Sequence, residues 1–340
     1  MTAVPAGRVV TLTANPSLDR TLTLPGPLHR GGVARLAPST TEPGGKGVNV
    51  ARAVAAAGVD VLAVLPAAAD DPFVRALTAI GLPPAVVPVP SPVRTNYTLT
   101  EPDGTTTKLN EPGARLDPVT LAALEAVVHQ HAVGARWVAL SGSLPPGAPL
   151  DWYATLVRSL RGTGARIAVD TSEAPLLALL AAGPDAAPDL LKPNTDELAQ
   201  LAGVPEETVA ADPAAALAAV ATLHERGVAE VLLTLGADGA LLSTADGGRW
   251  SARPPRTTVR STVGAGDSSL AGYLLADLAG HHPAERLRNA VAYGSASAAL
   301  PGSAVPTPAQ ADPAGVAVTA GLPPSTAPAE AVPAAGADAR

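Results

Sequence analysis

Short apolar runs alternate with longer segments of helical periodicity along most of the chain. The apolar runs have the length of buried parallel strands, and they cover Arg8–Ala14, Val59–Leu65, Trp137–Ser141, Arg166–Asp170, Asp189–Leu191 and Val231–Leu235. The helical pattern covers Gly47–Ala57, Pro118–His131, Trp152–Arg161, Glu197–Ala202, Ala214–Arg226, Ser268–Ala279 and Ala284–Leu300. This alternation predicts an α/β fold in which helices flank a doubly wound, mostly parallel central sheet. Ligands of such a sheet bind at the C-terminal ends of its strands.

Two segments depart from this alternation and are typical of paired strands. In the first pair, Thr21–Leu24 is predicted to lie beside Val33–Leu36. In the second, Arg94–Thr100 and Thr105–Leu109 flank a turn at Pro102–Gly104. Both pairs alternate polar and apolar residues, as does a sheet with one exposed face. We expect them to form a small β-sheet lid, with strands near 20–37 and 93–110; the alternative places them at the edge of the main sheet.

The regular pattern ends near residue 320, so residues 1–320 are predicted to form one α/β domain. Residues 321–340 are rich in Ala and Pro and are expected to be a disordered tail. The absence of cysteine from the 340 residues excludes disulfides, thiolate metal sites and a cysteine nucleophile. A formal net charge of −7 argues against a general nucleic-acid-binding protein. The N-terminal residues lack the features of a signal peptide, and no long apolar run predicts a membrane span, so we expect a cytoplasmic protein.

Lysine is scarce in this chain. Of the 23 Lys and Arg residues only three are lysine: Lys46, Lys108 and Lys192. Abundant Ala, Gly, Pro and Arg is typical of a GC-rich coding bias, which would replace most lysines by arginine. The retained lysines are therefore candidates for tight positions that face phosphate, where a compact ammonium differs from a broad guanidinium.

A glycine-rich turn at Ser261–Ser268 leads directly into a predicted helix. The small residues leave backbone amides free at the start of the helix, where anions bind. Gly264, Ala265, Gly266 and Asp267 could therefore form an anion hole for a phosphoryl group, with Asp267 as general base. The alternative is an ordinary aspartate that caps a helix.

Three other turns carry candidate chemistry. Lys46 lies in the glycine-rich turn Pro43–Arg52 and could contact a sugar hydroxyl or a phosphate; the alternative is a loop lysine at a helix start. Asn194 and Glu197 could hold the water shell of Mg²⁺, although a capping box explains the pair equally well. Thr234–Gly239 could let a nucleotide lie against glycine backbone, or could simply be a hairpin turn. None of these is a Walker A loop or a dinucleotide-binding fingerprint.

Five segments occur in an order and at a spacing that resemble the ribokinase-like (PfkB) sugar kinases. They are Asn15–Asp19, Gly44–Arg52, Ser141–Gly147, Lys192–Glu197 and Val263–Ser268. The resemblance covers residues 8 to 310 and is strongest to the branch that contains 1-phosphofructokinase and tagatose-6-phosphate kinase. Thr107–Gly113, after Arg94–Asn96, is most similar to the first of these. Ala298–Val305, where such kinases cover the adenine, offers no clear contact residue.

The resemblance implies ATP- and Mg²⁺-dependent phosphorylation of fructose 1-phosphate at its 6-hydroxyl. Tagatose 6-phosphate or a broader range of ketohexose phosphates are alternative substrates, and a sugar-phosphate sensor without catalysis is a third possibility. The implied catalytic residues are Asp267 as base and the amides of Gly264, Ala265, Gly266 and Asp267 as anion hole. The implied sugar-phosphate contacts are Asp19, Gly45, Lys46, Asn49 and Arg94. The implied ATP contacts are Lys192, Thr234, Gly236, Ala237, Asp238 and Gly239, with Asn194 and Glu197 for Mg²⁺ through water.

To these we add Lys108, which is predicted to lie on a lid strand. Together with Arg94 it could hold the phosphate that the substrate already carries, because charge-assisted hydrogen bonds are strong. The alternative is a solvated lysine on an exposed strand. The exposed lid sheet would also allow a homodimer.

Overall fold

Within the residues that the computed structural model describes, 7–37 and 39–321, the strands form two separate sheets. The strands are β1 Val9–Leu12, β2 Ser17–Thr23, β3 Thr40–Gly44, β4 Val61–Ala67, β5 Ala85–Pro88, β6 Arg94–Thr100, β7 Thr106–Asn110, β8 Trp137–Ser141, β9 Arg166–Asp170, β10 Leu190–Leu191, β11 Glu230–Thr234, β12 Ala240–Thr244, β13 Arg249–Arg253 and β14 Ala317–Ala320. The helices are α1 Lys46–Ala56, α2 Pro72–Ala79, α3 Pro118–Ala132, α4 Trp152–Leu160, α5 Glu173–Ala181, α6 Thr195–Ala202, α7 Glu206–Ala211, α8 Pro213–Glu225, α9 Ala265–Leu278 and α10 Pro283–Ala298.

The larger sheet has ten strands in the order β14-β13-β12-β11-β10-β9-β8-β1-β4-β5. The strands from β11 to β5 are parallel to their neighbours, whereas β12, β13 and β14 are antiparallel additions at one edge. Parallel neighbours are connected through helices, as the alternating sequence pattern predicts. The predicted α/β fold with a mostly parallel central sheet is confirmed.

Helices cover both faces of the central sheet. On one face, side chains of α3, α4, α5, α6 and α8 form a buried apolar cluster with alternate strand residues such as Val10 and Leu12. On the other face, α1, α9 and α10 pack over residues such as Val9 and Trp137. Successive residues of β1 thus enter opposite clusters, which follows from the two-residue period of a strand.

The predicted elements of the central sheet match the structure closely. Trp137–Ser141 and Arg166–Asp170 are strands with the predicted bounds, and each predicted helix is present within a few residues. The pattern did not predict the antiparallel strands β12, β13 and β14, the strand β5 or the short helices α2, α5 and α7.

The smaller sheet, which we call the lid sheet, has the order β3-β2-β6-β7. The hairpin predicted at 94–109 is confirmed as β6 and β7. The predicted pairing of Thr21–Leu24 with Val33–Leu36 is wrong, because β2 pairs instead with Thr40–Gly44 and with β6, and Val33 is 89% exposed. In the observed register Ser17 faces Gly44, where a Cβ would lie 2.0 Å from Asp19 Oδ2, so the pairing depends on a glycine that Val33–Leu36 lacks.

The single-domain boundary at 1–320 stays a prediction. The tail predicted at 321–340 lies outside the described residues apart from Gly321. No helix of the described residues is long and apolar enough to cross a membrane.

Candidate active site

A cavity of about 1120 Å³ lies where the C-terminal ends of β8, β10 and β11 face the lid sheet. It contains nearly all of the residues that the sequence motifs predict. Those that line it are Asp19, Gly45, Lys46, Asn49, Arg94, Lys108, Lys192, Asn194, Glu197, Thr234, Gly236, Ala237, Gly239, Gly264, Ala265, Gly266 and Asp267. Asp238 does not line the cavity and its side chain is exposed to solvent.

One buried carboxylate contacts both Lys46, which is predicted to bind the sugar phosphate, and Lys192, which is predicted to bind ATP. Asp170, at the end of β9, lies 2.7 Å through Oδ1 from Lys46 Nζ and 3.1 Å through Oδ2 from Lys192 Nζ. Burial opposes the ionisation of Asp170, but the two ammonium groups outweigh it and lower its pKa. Burial likewise disfavours the charged form of Lys46, yet Asp170, Asp267 and Glu197 raise the pKa of that lysine. Lys46 is therefore held as a cation on the cavity floor.

Asp267 is the other buried carboxylate of the site. Its Oδ2 accepts a hydrogen bond of 2.9 Å from Asn49 Nδ2, which α1 presents from the Gly44–Arg52 motif. Burial and the nearby charge of Asp170 raise the pKa of Asp267 to about 6, against the opposing effects of Lys46, Asn49 and Lys192. A carboxylate with this pKa is ionised at neutral pH and still basic enough to take a proton in a reaction.

Asp267 stands in the first turn of α9, as predicted. The helix begins at Ala265 after Gly264, whose φ of +77° is a left-handed conformation that favours glycine. Ala265 donates its N–H to Thr262, whereas no acceptor among the described residues pairs with the N–H of Gly264, Gly266 or Asp267. A Cβ built on Gly266 would lie 3.3 Å from Lys192 Nζ, so an ammonium group stands beside these amides. The arrangement can bind an anion.

The lid sheet contributes a second polar cluster. Asp19 Oδ1 accepts hydrogen bonds from Ser17 Oγ at 2.8 Å and Asn96 Nδ2 at 3.1 Å, and burial raises the pKa of Asp19. Arg94 donates through Nη1 to the Glu111 carbonyl and through Nη2 to the Asn15 carbonyl. Its buried Nε has no partner among the described residues, and neither does the buried Oδ1 of Asn96. Buried polar atoms are normally paired, so these two are free to meet a polar ligand.

Lys108 lies on β7 with an exposed side chain and lines the cavity from the lid side. Its register partner on β6 is Thr98, so the lysine shares the lid sheet with Arg94 and Asn96. The structure therefore places Lys108 at the cavity, on the side formed by the lid sheet.

Asn194 and Glu197 form a reciprocal capping box at the start of α6. Glu197 N–H donates to Asn194 Oδ1 at 2.7 Å, and Asn194 N–H donates to Glu197 Oε2 at 2.9 Å. Their oxygens line the cavity and retain further lone pairs, a donor set that suits a Mg²⁺ ion bound through its waters. No group of three or more His, Cys, Asp or Glu side chains in the described part of the chain is arranged to hold a metal ion directly.

The turn at Thr234–Gly239 connects β11 to β12, so its interpretation as a hairpin turn is correct, and the same turn lines the cavity. Gly239 has a φ of +100°, and a Cβ there would lie 1.9 Å from the Ala252 carbonyl oxygen. Glycine is thus required at this position by the close approach of β13. The turn presents backbone rather than bulky side chains to the cavity.

Comparison with known proteins identifies the family. Residues 15–310 match the model of the pfkB family carbohydrate kinases. The chain belongs to this family. It is 38% identical over 310 residues to a 1-phosphofructokinase of Rhodobacter capsulatus, a match that covers 88% of this chain and 93% of that protein. A 1-phosphofructokinase of Xanthomonas campestris is 38% identical over 78% of this chain and 82% of its own length.

A solved structure of phosphofructokinase-2 from Escherichia coli in complex with substrates and products has the same fold as this pfkB kinase. The TM-score is 0.82 at 31% identity, and the superposition covers 89% of this chain and 97% of that chain. The predicted membership of the PfkB carbohydrate kinases is confirmed.

Sequence motifs missed two residues, Asp170 and Arg52, that contact the cavity-lining side chains of this pfkB kinase. Asp170 lies outside every motif used above, although its position at the end of a predicted buried strand is where ligand-binding residues of such sheets gather. Arg52 lies inside the Gly44–Arg52 motif and received no role. Its contacts with distant residues Glu42 and Ser303 become evident only in the folded chain.

Proposed function

We propose that this pfkB kinase transfers the γ-phosphoryl group of ATP to the 6-hydroxyl of fructose 1-phosphate, giving fructose 1,6-bisphosphate. The observation that carries the proposal is the buried Asp267 at the free amides of α9, in a cavity that also holds Arg94 and Lys108. The curated relatives named above, which are 1-phosphofructokinases, support the choice of substrate.

In this reaction Asp267 accepts the proton of the 6-hydroxyl as the oxygen attacks the γ-phosphorus. The amides of Gly264, Gly266 and Asp267 face the transferring group and stabilise the charge on its equatorial oxygens. Ala265 contributes less than predicted, because its N–H already donates to Thr262. Lys192 stands beside these amides and offsets the negative charge of ATP.

The opposite end of the sugar lies against the lid sheet. Arg94 and Lys108 hold the 1-phosphate, with the unpaired Nε of Arg94 as one donor. Asp19, Gly45, Lys46 and Asn49 contact sugar hydroxyls. A lid that closes over the substrates excludes water, which would otherwise accept the phosphoryl group.

ATP lies along the turn at Thr234–Gly239, where Gly236, Ala237 and Gly239 allow a close approach of the nucleotide. Asp238, with its side chain away from the cavity, contributes at most its backbone. Asn194 and Glu197 hold the waters of Mg²⁺, which neutralises phosphate charge when bound.

The test of substrate is a comparison of kcat/KM for fructose 1-phosphate, fructose 6-phosphate and tagatose 6-phosphate with ATP and Mg²⁺. We expect fructose 1-phosphate to be preferred, because the relatives named above are 1-phosphofructokinases. A preference for either 6-phosphate contradicts the proposal. Binding of a sugar phosphate without turnover indicates a sensor.

The test of mechanism is Asp267→Asn. It keeps a side chain of the same shape and removes the proton acceptor, so kcat is expected to fall by about 10²–10⁴-fold while the sugar phosphate still binds. Asp60→Asn, at an exposed ion pair with Arg8, is the matched control and leaves kcat unchanged. Near-normal turnover of the Asp267 variant removes that residue as base.

The cytoplasmic location and a homodimer through the lid sheet stay predictions. Strand β7 is exposed along its whole length and forms one edge of the lid sheet, which is the kind of surface that pairs with a second copy. Sedimentation of the purified protein measures the oligomeric state.

A further inference from the structure

Arg52 is a largely buried arginine at which three parts of the fold meet. It lies on α1 with 9% of its side chain exposed. Its Nη1 donates to the Pro43 carbonyl of β3 at 3.0 Å and to the Ser303 carbonyl, in the loop after α10, at 3.1 Å. Its Nη2 lies 3.5 Å from Glu42 Oε1, and Glu42 in turn accepts from Ser303 N–H and Oγ. The guanidinium is therefore held in one place by partners on the lid sheet and on the loop.

From this place the guanidinium faces the amide of Asn49. Arg52 Nη1 lies 3.4 Å from Asn49 Oδ1, and Asn49 Nδ2 donates at 2.9 Å to Asp267 Oδ2. The amide is thus aligned between a cation at its oxygen and a carboxylate at its nitrogen. A rotation of the amide by half a turn would bring its NH₂ against the guanidinium and its oxygen against the carboxylate. Because Asn49 is only 3% exposed, water cannot screen these two repulsive contacts.

We propose that Arg52 is a positioning residue for phosphoryl transfer: it fixes the orientation of the Asn49 amide, which keeps a hydrogen-bond donor on the ionised carboxylate of Asp267. The inference rests on the proposed function, because it takes Asp267 as the base. Without the cation, the amide is free to turn its oxygen toward Asp267. That oxygen accepts a hydrogen bond only from the protonated acid, so the turned amide favours the form that cannot take the substrate proton.

Five other charged groups lie near the contacts that link Arg52, Asn49 and Asp267. Asp170, Lys46 and Lys192 act on Asp267, whereas Glu42 and Asp19 face Arg52. A substitution at Arg52 leaves the three groups nearest to Asp267 in place. A change in the pH dependence of the reaction therefore reports the Asn49 amide.

The experiment measures kcat/KM for fructose 1-phosphate from about pH 5 to about pH 8, which brackets the pKa of about 6 of Asp267. The substrate phosphate ionises identically in every assay, so differences between variants belong to the enzyme. We expect Arg52→Met to shift the acidic limb upward by about one pH unit. Arg52→Lys retains a cation and shifts the limb less. Arg158→Met, at an exposed ion pair with Asp185, is the matched control and leaves the limb in place.

A second series separates positioning from a general loss of structure. Asn49→Leu removes the amide and should itself shift the limb, and adding Arg52→Met to it should give no further shift. The proposal is overturned if Arg52→Met lowers the rate equally at every pH, or if its shift is the same with and without Asn49. Arg52→Gln, which keeps donors for the two carbonyls but no charge, replaces the methionine variant if that variant does not fold. Failure of the proposed function gives a different result, namely turnover that persists in Asp267→Asn.

Discussion

Two lysines and three carboxylates lie at the cavity floor or directly beneath it, and the pKa values of the carboxylates depend on these neighbours. Lys46 and Lys192 lower the pKa of Asp170, on which both are centred. Burial raises the pKa of Asp267 and of Glu197, which receive less compensation from the same lysines. One carboxylate is thereby fixed as an anion that holds the lysines, while another stays close to its protonation midpoint and can exchange a proton. This division of roles is typical of acid–base sites.

The raised pKa of Asp267 predicts that the base weakens the fold at neutral pH. Its pKa in the folded protein is about 6, against 3.8 for an unperturbed aspartate, so the folded state loses stability as the pH rises through this interval. Asp267→Asn should therefore increase the free energy of unfolding at pH 7 by about 2–3 kcal/mol, and the gain should vanish near pH 4. Urea unfolding at pH 7 and near pH 4 measures this gain in the free energy of unfolding, with Asp60→Asn as an exposed control. A less stable variant at pH 7 would contradict the raised pKa.

The residues of the site could be predicted to the extent that each lies in a local motif. Asp267 and Lys46 are examples, because each lies in a glycine-rich turn that leads into a helix, and Asn49 follows from the family resemblance. Asp170 could not be predicted in this way, since its role depends on two lysines that reach it from α1 and from the end of β10. Asp238 shows the opposite limit: it lies in the correct turn, but its side chain points away from the cavity.

At the scale of elements, α9 is fixed at both ends. Its N-terminus carries the free amides and Asp267, and its last turn carries Asp277, which is 2% exposed. An acidic residue near a helix C-terminus is unfavourable for the helix dipole. Here Asp277 accepts hydrogen bonds from Trp137 Nε1 at 2.8 Å and Arg166 Nη1 at 3.0 Å, and Arg286 Nη2 lies at 3.0 Å. These contacts join α9 to β8, β9 and α10.

Asp277→Asn should separate stability from catalysis. The change removes a fully buried anion from Arg166 and Arg286, which are partly buried and keep only Glu230 as a carboxylate partner, so unfolding should become easier by about 1–3 kcal/mol. Asp267 lies ten residues, or about 15 Å, away along α9, so kcat of the folded variant at low temperature should stay close to that of the parent protein. Thermal unfolding and steady-state rates measure both effects. Glu285→Gln, at a more exposed pair with Arg288, is the control.

Gly44→Ala tests the junction of β3 with β2. The added Cβ would lie 2.0 Å from Asp19 Oδ2, so either the Asp19 side chain or the strand must move. We expect KM for the sugar phosphate to rise about tenfold or more, with a much smaller change for ATP. Gly26→Ala is the matched control, because a Cβ there has no neighbour within 4 Å. Equal losses for both substrates would show that the junction serves the whole site rather than Asp19.

Most strands of the parallel sheet could be predicted, whereas β5 and the strands of the antiparallel edge could not. Trp137–Ser141 and Arg166–Asp170 each contain three or more consecutive apolar residues between clear helices, which is a strong signal. Ala317–Ala320 has little intrinsic preference for a strand and becomes one only because β13 offers a partner. The local pattern likewise does not predict that β2 pairs with Thr40–Gly44, because this pairing depends on the space that Gly44 leaves for the side chain of Asp19.

At the scale of the whole molecule, the cavity joins a rigid sheet to a lid sheet of lower expected stability. The parallel strands are buried on both faces, whereas β7 is exposed throughout and β6 only half-buried. Amide hydrogens of an exposed sheet exchange through local opening, which a ligand bound to that sheet suppresses. The lid sheet should therefore respond to sugar phosphate more than the core does.

Hydrogen exchange measured by mass spectrometry tests which part of the molecule holds the sugar phosphate. Fructose 1-phosphate should slow exchange in peptides that contain β6 and β7, because Arg94 and Lys108 would bind its phosphate from these strands. ATP with Mg²⁺ should instead protect the start of α9 and the turn at Thr234–Gly239. Lys108→Met should reduce the protection of β7 while leaving that of the ATP peptides intact. Protection by fructose 1-phosphate confined to the central sheet would place the phosphate away from the lid, and Lys108 would then be a solvated surface residue.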